Sequence, residues 1–421
     1  MVTTKTVHES PRETNILTEA DVVVVGAGPA GVTAAISAAR EGADTILMDR
    51  YGHLGGMATG GLVLMFSPSA GQGQEWMDRL NKVNGVHDLS RTSEPEWGHT
   101  KMVDPELLKC ILNDMTLEAG VRLFLHSWSS AAVVDNNTVK GVIFESKSGR
   151  QAIMGKVIID ATGDGDVYAS AGAEFDASLD KGYRTSEMAM VFRIGGINFD
   201  KFAEFRKAQP QEWVTMREEG FKLAGFHIAP IPGQRPDVFW VNNFIRGKNC
   251  LKVEDLNWVE VNVRKIMVPL YSFYKKAVPG FENSYLYDSA SQIGTRGSRR
   301  LVGAHVLTGE EAKAGEKFDD TVLIFPRGVP LSWPADRPPE NVEMPYRCLL
   351  PAKLEGLLTA GRCFSSDQAA NSMFNVISHC IQMGQAAGTA AALAVQSKVQ
   401  PRDIDITALQ KRLIAQGVEL P

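Results

Sequence analysis

The sequence predicts an α/β fold: a parallel sheet continued by a β-meander, with an α+β domain inserted between its two parts. Three stretches predict it. Asp21 to Val25 is a β-branched run, followed by a glycine turn, an Ala-rich helix from Ala30 to Arg40 and a second strand, Thr45 to Met48. Val121 to Leu125, Ala131 to Val134 and Val139 to Glu145 read as the meander, with Asp135-Asn136-Asn137 as a turn and Val157 to Asp160 as a further buried strand. Late in the chain, Leu357 to Gly361 reads as a strand entering a second glycine turn, ahead of a small-residue helix spanning Asn371 to Gln396.

The other elements follow in order. Gly42 closes the first helix, and Gly55 to Ser69 is Gly- and Met-rich with few element signals. Gly71 to Thr100 reads as polar and irregular. Asp104-Pro105 is a cap followed by proline at the first helical turn, so a helix is expected to Ala119, burying Leu107, Leu108, Ile111, Leu112 and Met115. From Glu187 to Pro345 the chain becomes richer in aromatics and prolines, as expected of a substrate-side domain. The expected division is therefore 16–186 and 346–421 for the nucleotide domain and 187–345 for the insert. An amphipathic tail helix is expected from Thr407 to Gln416.

Bulk properties exclude several classes. The 421 residues are 44% hydrophobic and 22% charged, the balance of an ordinary globular protein with a sizeable core. The formal net charge is −5 and no long basic run occurs, so neither nucleic acid nor anionic membrane is an expected partner. Cys110, Cys250, Cys348, Cys363 and Cys380 are scattered without a C-x-x-C pair, which argues against a metal site, an iron–sulfur cluster or a disulfide framework. No apolar core opens the chain, and no run reaches about 18 apolar residues, so a cytoplasmic protein is expected. Self-association into a homo-oligomer stays open.

Gly26, Gly28 and Gly31 fit G-x-G-x-x-G between a strand and a helix. In such a turn the first glycine allows the bend, the second lets backbone approach a pyrophosphate, and the third lets helix and strand pack. The helix N-terminus then faces the phosphates with free N–H groups. Asp49, at the end of the second strand, suits ribose hydroxyls and would repel a 2′-phosphate, which disfavours NADP. NAD and FAD both satisfy this pattern. A nicotinamide enzyme usually continues with further βα units, whereas here the chain enters Gly52, Gly55, Gly56, Gly60 and Gly61, a loop suited to a long extended cofactor.

The fingerprint, LGGMAT, ATGDGD, IGTRGSRRLVG and AGR-x-x-S-x-D together resemble the FAD-dependent oxidoreductases with a glutathione-reductase-like, Rossmann-like FAD-binding fold, and more closely their bacterial "FAD-dependent oxidoreductase" group. The resemblance implies FAD, held non-covalently. It implies that Gly26, Gly28, Pro29, Ala30 and Gly31 hold the pyrophosphate, and Asp49 and Arg50 the adenosine ribose. Gly55, Gly56, Met57, Ala58 and Thr59 would line the ribityl chain and flavin, and backbone at Ser130 and Ala131 would meet adenine. Thr162, Gly163 and Asp164 would sit near the pyrophosphate, with Gly361 and Asp367 closing over the ribityl region. The family segment often reads R-E-S-R-R, and this chain has Gly297 in place of the glutamate.

The start of the late helix, Met373 to Val376 with Phe374 and Asn375, is the candidate to stabilise a reduced, anionic flavin. Gly384, Ala386, Ala387 and Gly388 read first as helix packing. Arg296, Arg299 and Arg300 form the densest basic cluster. It reads either as a clamp for a substrate carboxylate, with Arg296 and Arg299 catalytic and Arg300 binding, or as salt bridges to the nucleotide domain. His227 and His305 are further substrate-side candidates, His53 is weighed as a covalent attachment point for the flavin, Cys363 as a flavin neighbour or a buried small residue, and Tyr271 and Tyr274 read as core or pocket wall. The expected activity is hydride transfer between a small polar metabolite and flavin N5, with the electron acceptor open. A flavoprotein monooxygenase and a flavin-carrying electron-transfer subunit are the alternatives.

Overall fold

The β-branched run belongs to a longer strand than expected, Asn15–Val25, at the centre of the main sheet. The computed structural model describes residues 6–66, 70–88, 101–180, 182–325 and 341–421. Arg122–Phe124, Thr45–Met48, Asn15–Val25 and Gly149–Asp160 lie side by side and parallel, and Leu357–Thr359 joins the far edge of the last strand. Val22 faces Thr45 on one side and Val157 on the other. The opening half of Gly149–Asp160 pairs antiparallel with Thr138–Ser146, which pairs with Trp128–Asp135. One strand thus carries both the meander and the return strand.

Three expectations change. Arg122–Phe124 lies in the parallel sheet beside Thr45–Met48 and outside the meander. The helix before it, Pro105–Glu118, is a crossover, and crossovers deliver parallel strands. That helix is capped as expected, Asp104 accepting from the N–H groups of Glu106 and Leu107 at 2.9 and 3.1 Å. The stretch Gly71 to Thr100 contains a helix, Gln72–Lys82, and a strand, Val86–Asp88, and its residues 89–100 lie outside the described residues. The late helix is two helices, Gln368–Phe374 and Ile377–Ser397, broken at Asn375 and Val376. The fingerprint helix, Pro29–Arg40, and the tail helix, Ile406–Ala415, fall where expected.

The small residues of Ile377–Ser397 permit direct backbone contact. A Cβ on Gly384 would lie 2.0 Å from the Ala30 carbonyl oxygen, and one on Gly388 2.1 Å from that of Ala34. The Thr33 hydroxyl donates to the Ile381 carbonyl at 2.9 Å, closing the seam.

The inserted core begins at Met188 and ends at Ile293. Its antiparallel sheet runs Tyr285–Ser289, Phe192–Gly195, Phe239–Arg246, Glu187–Ala189, Gly294–Thr295, with His227–Pro232 also on Phe239–Arg246. Helices Phe199–Ala208, Pro210–Ala224 and Val253–Ala277 bury their apolar faces in this core. Phe202 packs edge-on against Trp213, Phe239 and Phe281, with centroids 5.0, 5.3 and 5.6 Å away. Tyr274 is core, as expected, and the Tyr271 hydroxyl donates to the Ser284 carbonyl at 2.7 Å. From Leu307 to Met344, a segment grouped by its sequence with the insert, the chain adds Leu307, Ala312, Val322, Leu323, Val342 and Met344 to the first core.

Candidate active site

The three fingerprint glycines occupy three different environments. A Cβ on Gly26 would lie 2.5 Å from the Ala161 carbonyl oxygen, and one on Gly31 would overlap the Gly26 carbonyl at 1.7 Å. A Cβ on Gly28 would meet nothing within 4 Å. Gly28 caps helix Pro29–Arg40 with no side-chain acceptor, so the first N–H groups face that open space. The Gly-rich loop forms its rim. The Gly55 N–H donates to the Ala27 carbonyl at 2.8 Å, the Thr59 hydroxyl to Leu54 at 2.6 Å, and the Cβ position of Gly56 is 2.8 Å from the Gly28 Cα. Met57 and Ala58 lie in the 3-10 turn between them. This is a cradle of backbone with room left at one glycine, the shape a pyrophosphate needs.

Asp49 stands beside it. One carboxylate oxygen accepts from the Ala27 N–H at 2.6 Å and the other from Tyr51 at 2.7 Å, while burial raises its pKa. Arg50 lies over the rings of Tyr51 and Trp128, 4.8 and 5.1 Å from their centroids. Trp128, the first residue of strand Trp128–Asp135, is 57% exposed, and exposure of this kind is supplied by the fold rather than by the sequence. Two residues on, Ser130 sits at a register shift, accepting from Arg150 at 3.2 Å, and Ala131 follows.

The ATGDGD turn is organised by its first aspartate. Asp160 is fully buried and accepts from the N–H and hydroxyl of Thr162 and from the N–H groups of Val167 and Tyr168, all within 3.1 Å. Burial still pushes its pKa up to about 6. Asp164 accepts from Arg362 at 2.7 Å and Ser298 at 2.6 Å. Burial pushes its pKa up, but Arg362 and Ser298 outweigh that and hold it below the usual carboxylate range. Gly163 lies against Arg362, and Gly361 against Ala30. Asp367 caps helix Gln368–Phe374 through the Ala370 N–H at 2.7 Å and accepts from Gly309 at 2.9 Å. Asp164 therefore ties its turn to Arg362 and Ser298, and Asp367 ties the start of its helix to Gly309.

The arginine triplet diverges. The Arg299 guanidinium donates to the Asp164 carbonyl and Asp166 carboxylate, both at 2.9 Å. Arg300 is buried against the Asp176 carboxylate and donates to the Ser178 carbonyl at 3.0 Å. This geometry gives both a structural task. Arg296 alone turns toward the inserted sheet, over the Phe244 ring at 4.8 Å and with Nε 3.9 Å from Glu187. A side chain at Gly297 would collide with Thr185, 2.6 Å from its Cβ, which is why no glutamate fits there.

His227 packs between Phe221 and Phe244, so it shares Phe244 with Arg296, and burial lowers its pKa. His305 pairs with Glu311 at 3.1 Å beside Phe318 and shares no partner with them among the described residues. His53 stacks on Tyr51, with its Nε2 3.5 Å from Ser291. Cys363 is buried 3.3 Å from the Thr359 hydroxyl, and burial pushes its thiol pKa far up, so it carries no reactive thiolate. Phe374 is buried against the His379 ring, and Asn375 occupies the break between the late helices. Arg184, which the sequence reading passed over, donates to the Asn375 side chain.

Strand, glycine cradle, acid and return helix define a nucleotide-binding flavoprotein enzyme. The chain belongs to the FAD dependent oxidoreductase family, whose profile matches residues 21–413. FAD is its cofactor. Similar curated proteins include digeranylgeranylglycerophospholipid reductase 1 of Methanococcoides burtonii, 24% identical over 53% of this chain and 58% of that protein, and thiamine thiazole synthase of Methanococcus vannielii, 27% identical over 35% and 57%. The chain thus spans under two thirds of these relatives' length. Among solved structures, a geranylgeranyl bacteriochlorophyll reductase-like protein of Thermoplasma acidophilum is 15% identical, covering 94% of this chain and 83% of that one, with a TM-score of 0.49. No helix among the described residues is long and apolar enough to cross a membrane.

Proposed function

We propose that this oxidoreductase is a dehydrogenase or oxidase that takes hydride from a small polar metabolite, with FAD held non-covalently. The observation that carries the cofactor part is the open space at Gly28 beside two glycines packed to contact. FAD supplies a two-electron acceptor in its isoalloxazine ring. Gly26 to Gly31 would seat the pyrophosphate, Asp49 and Arg50 the adenosine ribose, Ser130 and Ala131 the adenine side, and Gly55 to Thr59 the ribityl chain. The Ile377–Ser397 helix begins with no side-chain cap, so its N–H groups offer partial positive charge to an anionic ring edge. Arg296, with Phe244 and His227, supplies the polar and aromatic wall for substrate. Arg299 holds the Asp164–Asp166 turn in place.

The test is a visible spectrum before and after acid precipitation, then anaerobic addition of small hydroxy, amino and carboxylic compounds. Flavin bands, colour released to the supernatant and bleaching by one compound class are expected. Colour retained in the pellet would overturn non-covalent binding. Oxygen uptake that requires NAD(P)H would assign a monooxygenase instead.

A further inference from the structure

Charge does not balance where the late helix breaks. Arg184 donates to the Asn375 side-chain oxygen and, at 3.5 Å, to the Ser372 carbonyl. The Asn375 amide in turn donates to the Arg296 carbonyl at 2.5 Å, so one asparagine joins both arginine segments. Glu187 is the carboxylate that the described residues place against them, 3.9 Å from Arg296, and it also accepts from the exposed Arg246 at 3.0 Å. Two partly buried guanidiniums thus draw on a carboxylate that Arg246 already occupies. The Nε atoms of both Arg184 and Arg296 are buried without a hydrogen-bond partner among the described residues. Buried donors of this kind are costly unless something accepts from them. Burial and the neighbouring Arg296 charge push the Arg184 pKa down to about 9, the response of a cation that lacks a counter-ion.

We propose that Arg184 and Arg296, linked through Asn375, form the seat of a carboxylate on the substrate. This rests on the reading of the protein as an FAD oxidoreductase of small polar metabolites. Because Arg246 also draws on Glu187, Arg184 and Arg296 keep an excess of positive charge that an anion offsets. Planar guanidinium edges match a planar carboxylate. Phe244 beneath Arg296 closes one side to water, and Thr185, packed on Gly297, fixes the backbone that carries Arg184. The seat lies between the inserted sheet and the start of helix Ile377–Ser397, where the flavin ring edge is proposed.

The test uses the FAD-loaded protein and two probe pairs, acetate with acetamide and benzoate with benzamide, followed by flavin difference absorbance. At least one carboxylate should give a saturable change that its amide lacks. In Arg184→Gln and Arg296→Gln, its dissociation constant should rise about tenfold or more, and Arg296→Lys should recover part of the loss. Amides binding as tightly as carboxylates, variants within twofold of the parent, or no saturable change with either pair would overturn the proposal. So would a variant that shifts the flavin midpoint potential while leaving carboxylate affinity intact, since the arginines would then serve the cofactor. A purified protein that retains no FAD would instead overturn the reading beneath it.

Discussion

At Gly384 and Gly388 the late helix touches the fingerprint helix backbone to backbone, whereas the inserted domain keeps its helices and sheet apart with rings. The first seam has no slack, because any Cβ would lie about 2 Å from a carbonyl oxygen. The second is filled by Phe202, Trp213, Phe239 and Phe281, and its failure mode is a cavity rather than a collision. The nucleotide region is thus sensitive to added atoms, and the substrate region to removed ones.

Five substitutions and one pH series break or sharpen that contrast. Gly388→Val should cost more than about 4 kcal/mol and abolish soluble, folded protein, judged by yield and far-ultraviolet dichroism. A stable variant would mean that the helices can separate. Phe202→Ala should cost about 3–5 kcal/mol in urea unfolding, and a loss under about 1 kcal/mol would show that the ring cluster relaxes into the gap. Asp160→Asn should cost about 2–4 kcal/mol, since one end of the amide is an NH2 that must face either the Thr162 donors or the N–H groups of Val167 and Tyr168, all of which the carboxylate now accepts from.

His379 gives the pH-dependent case. Burial pushes its pKa down to about 3, so the fold prefers the neutral ring while the unfolded chain takes a proton near 6.5. Its contribution is complete above the unfolded value and is lost as pH falls toward 3. Between pH 7 and 5 this amounts to about 2 kcal/mol, and His379→Gln should show a correspondingly shallower fall in melting temperature. Equal slopes would mean that the ring protonates without cost. The smallest stability effect belongs to Gly28→Ala, which should leave the melting temperature of FAD-free protein within about 1 °C while weakening FAD retention, because its methyl enters the open space. Gly31→Ala should do the reverse and lose the fold.

Much of the nucleotide half was legible because its signals are local. Strand, glycines, helix and Asp49 are contiguous, and Asp104-Pro105 announces a helix that forms as read. Helix Gln72–Lys82 was not legible, because its capping is remote: Gly71 offers no side-chain acceptor, and Gln385, more than 300 residues away, accepts from the Gln72 N–H. The arginines show the same limit. Arg296, Arg299 and Arg300 are adjacent in sequence yet point to three different partners, while Arg184 meets Arg296 through Asn375, which only the tertiary fold supplies. The break at Asn375 falls where side-chain demands of two other segments meet, Arg184 donating to Asn375 and Asn375 donating to the Arg296 carbonyl.

The sheet edge at Gly149–Asp160 also dictates an order of manufacture. Its parallel neighbour, Leu357–Thr359, comes from nearly two hundred residues later in the chain. A ribosome adding about 5–20 residues per second takes roughly 10–40 seconds to deliver it. Throughout that interval Ile158 and Ile159 present an apolar, unpaired edge of the kind that recruits other strands. The inserted core, contiguous from Met188 to Ile293, can close meanwhile. The insert can therefore close before the sheet that carries the cofactor is complete.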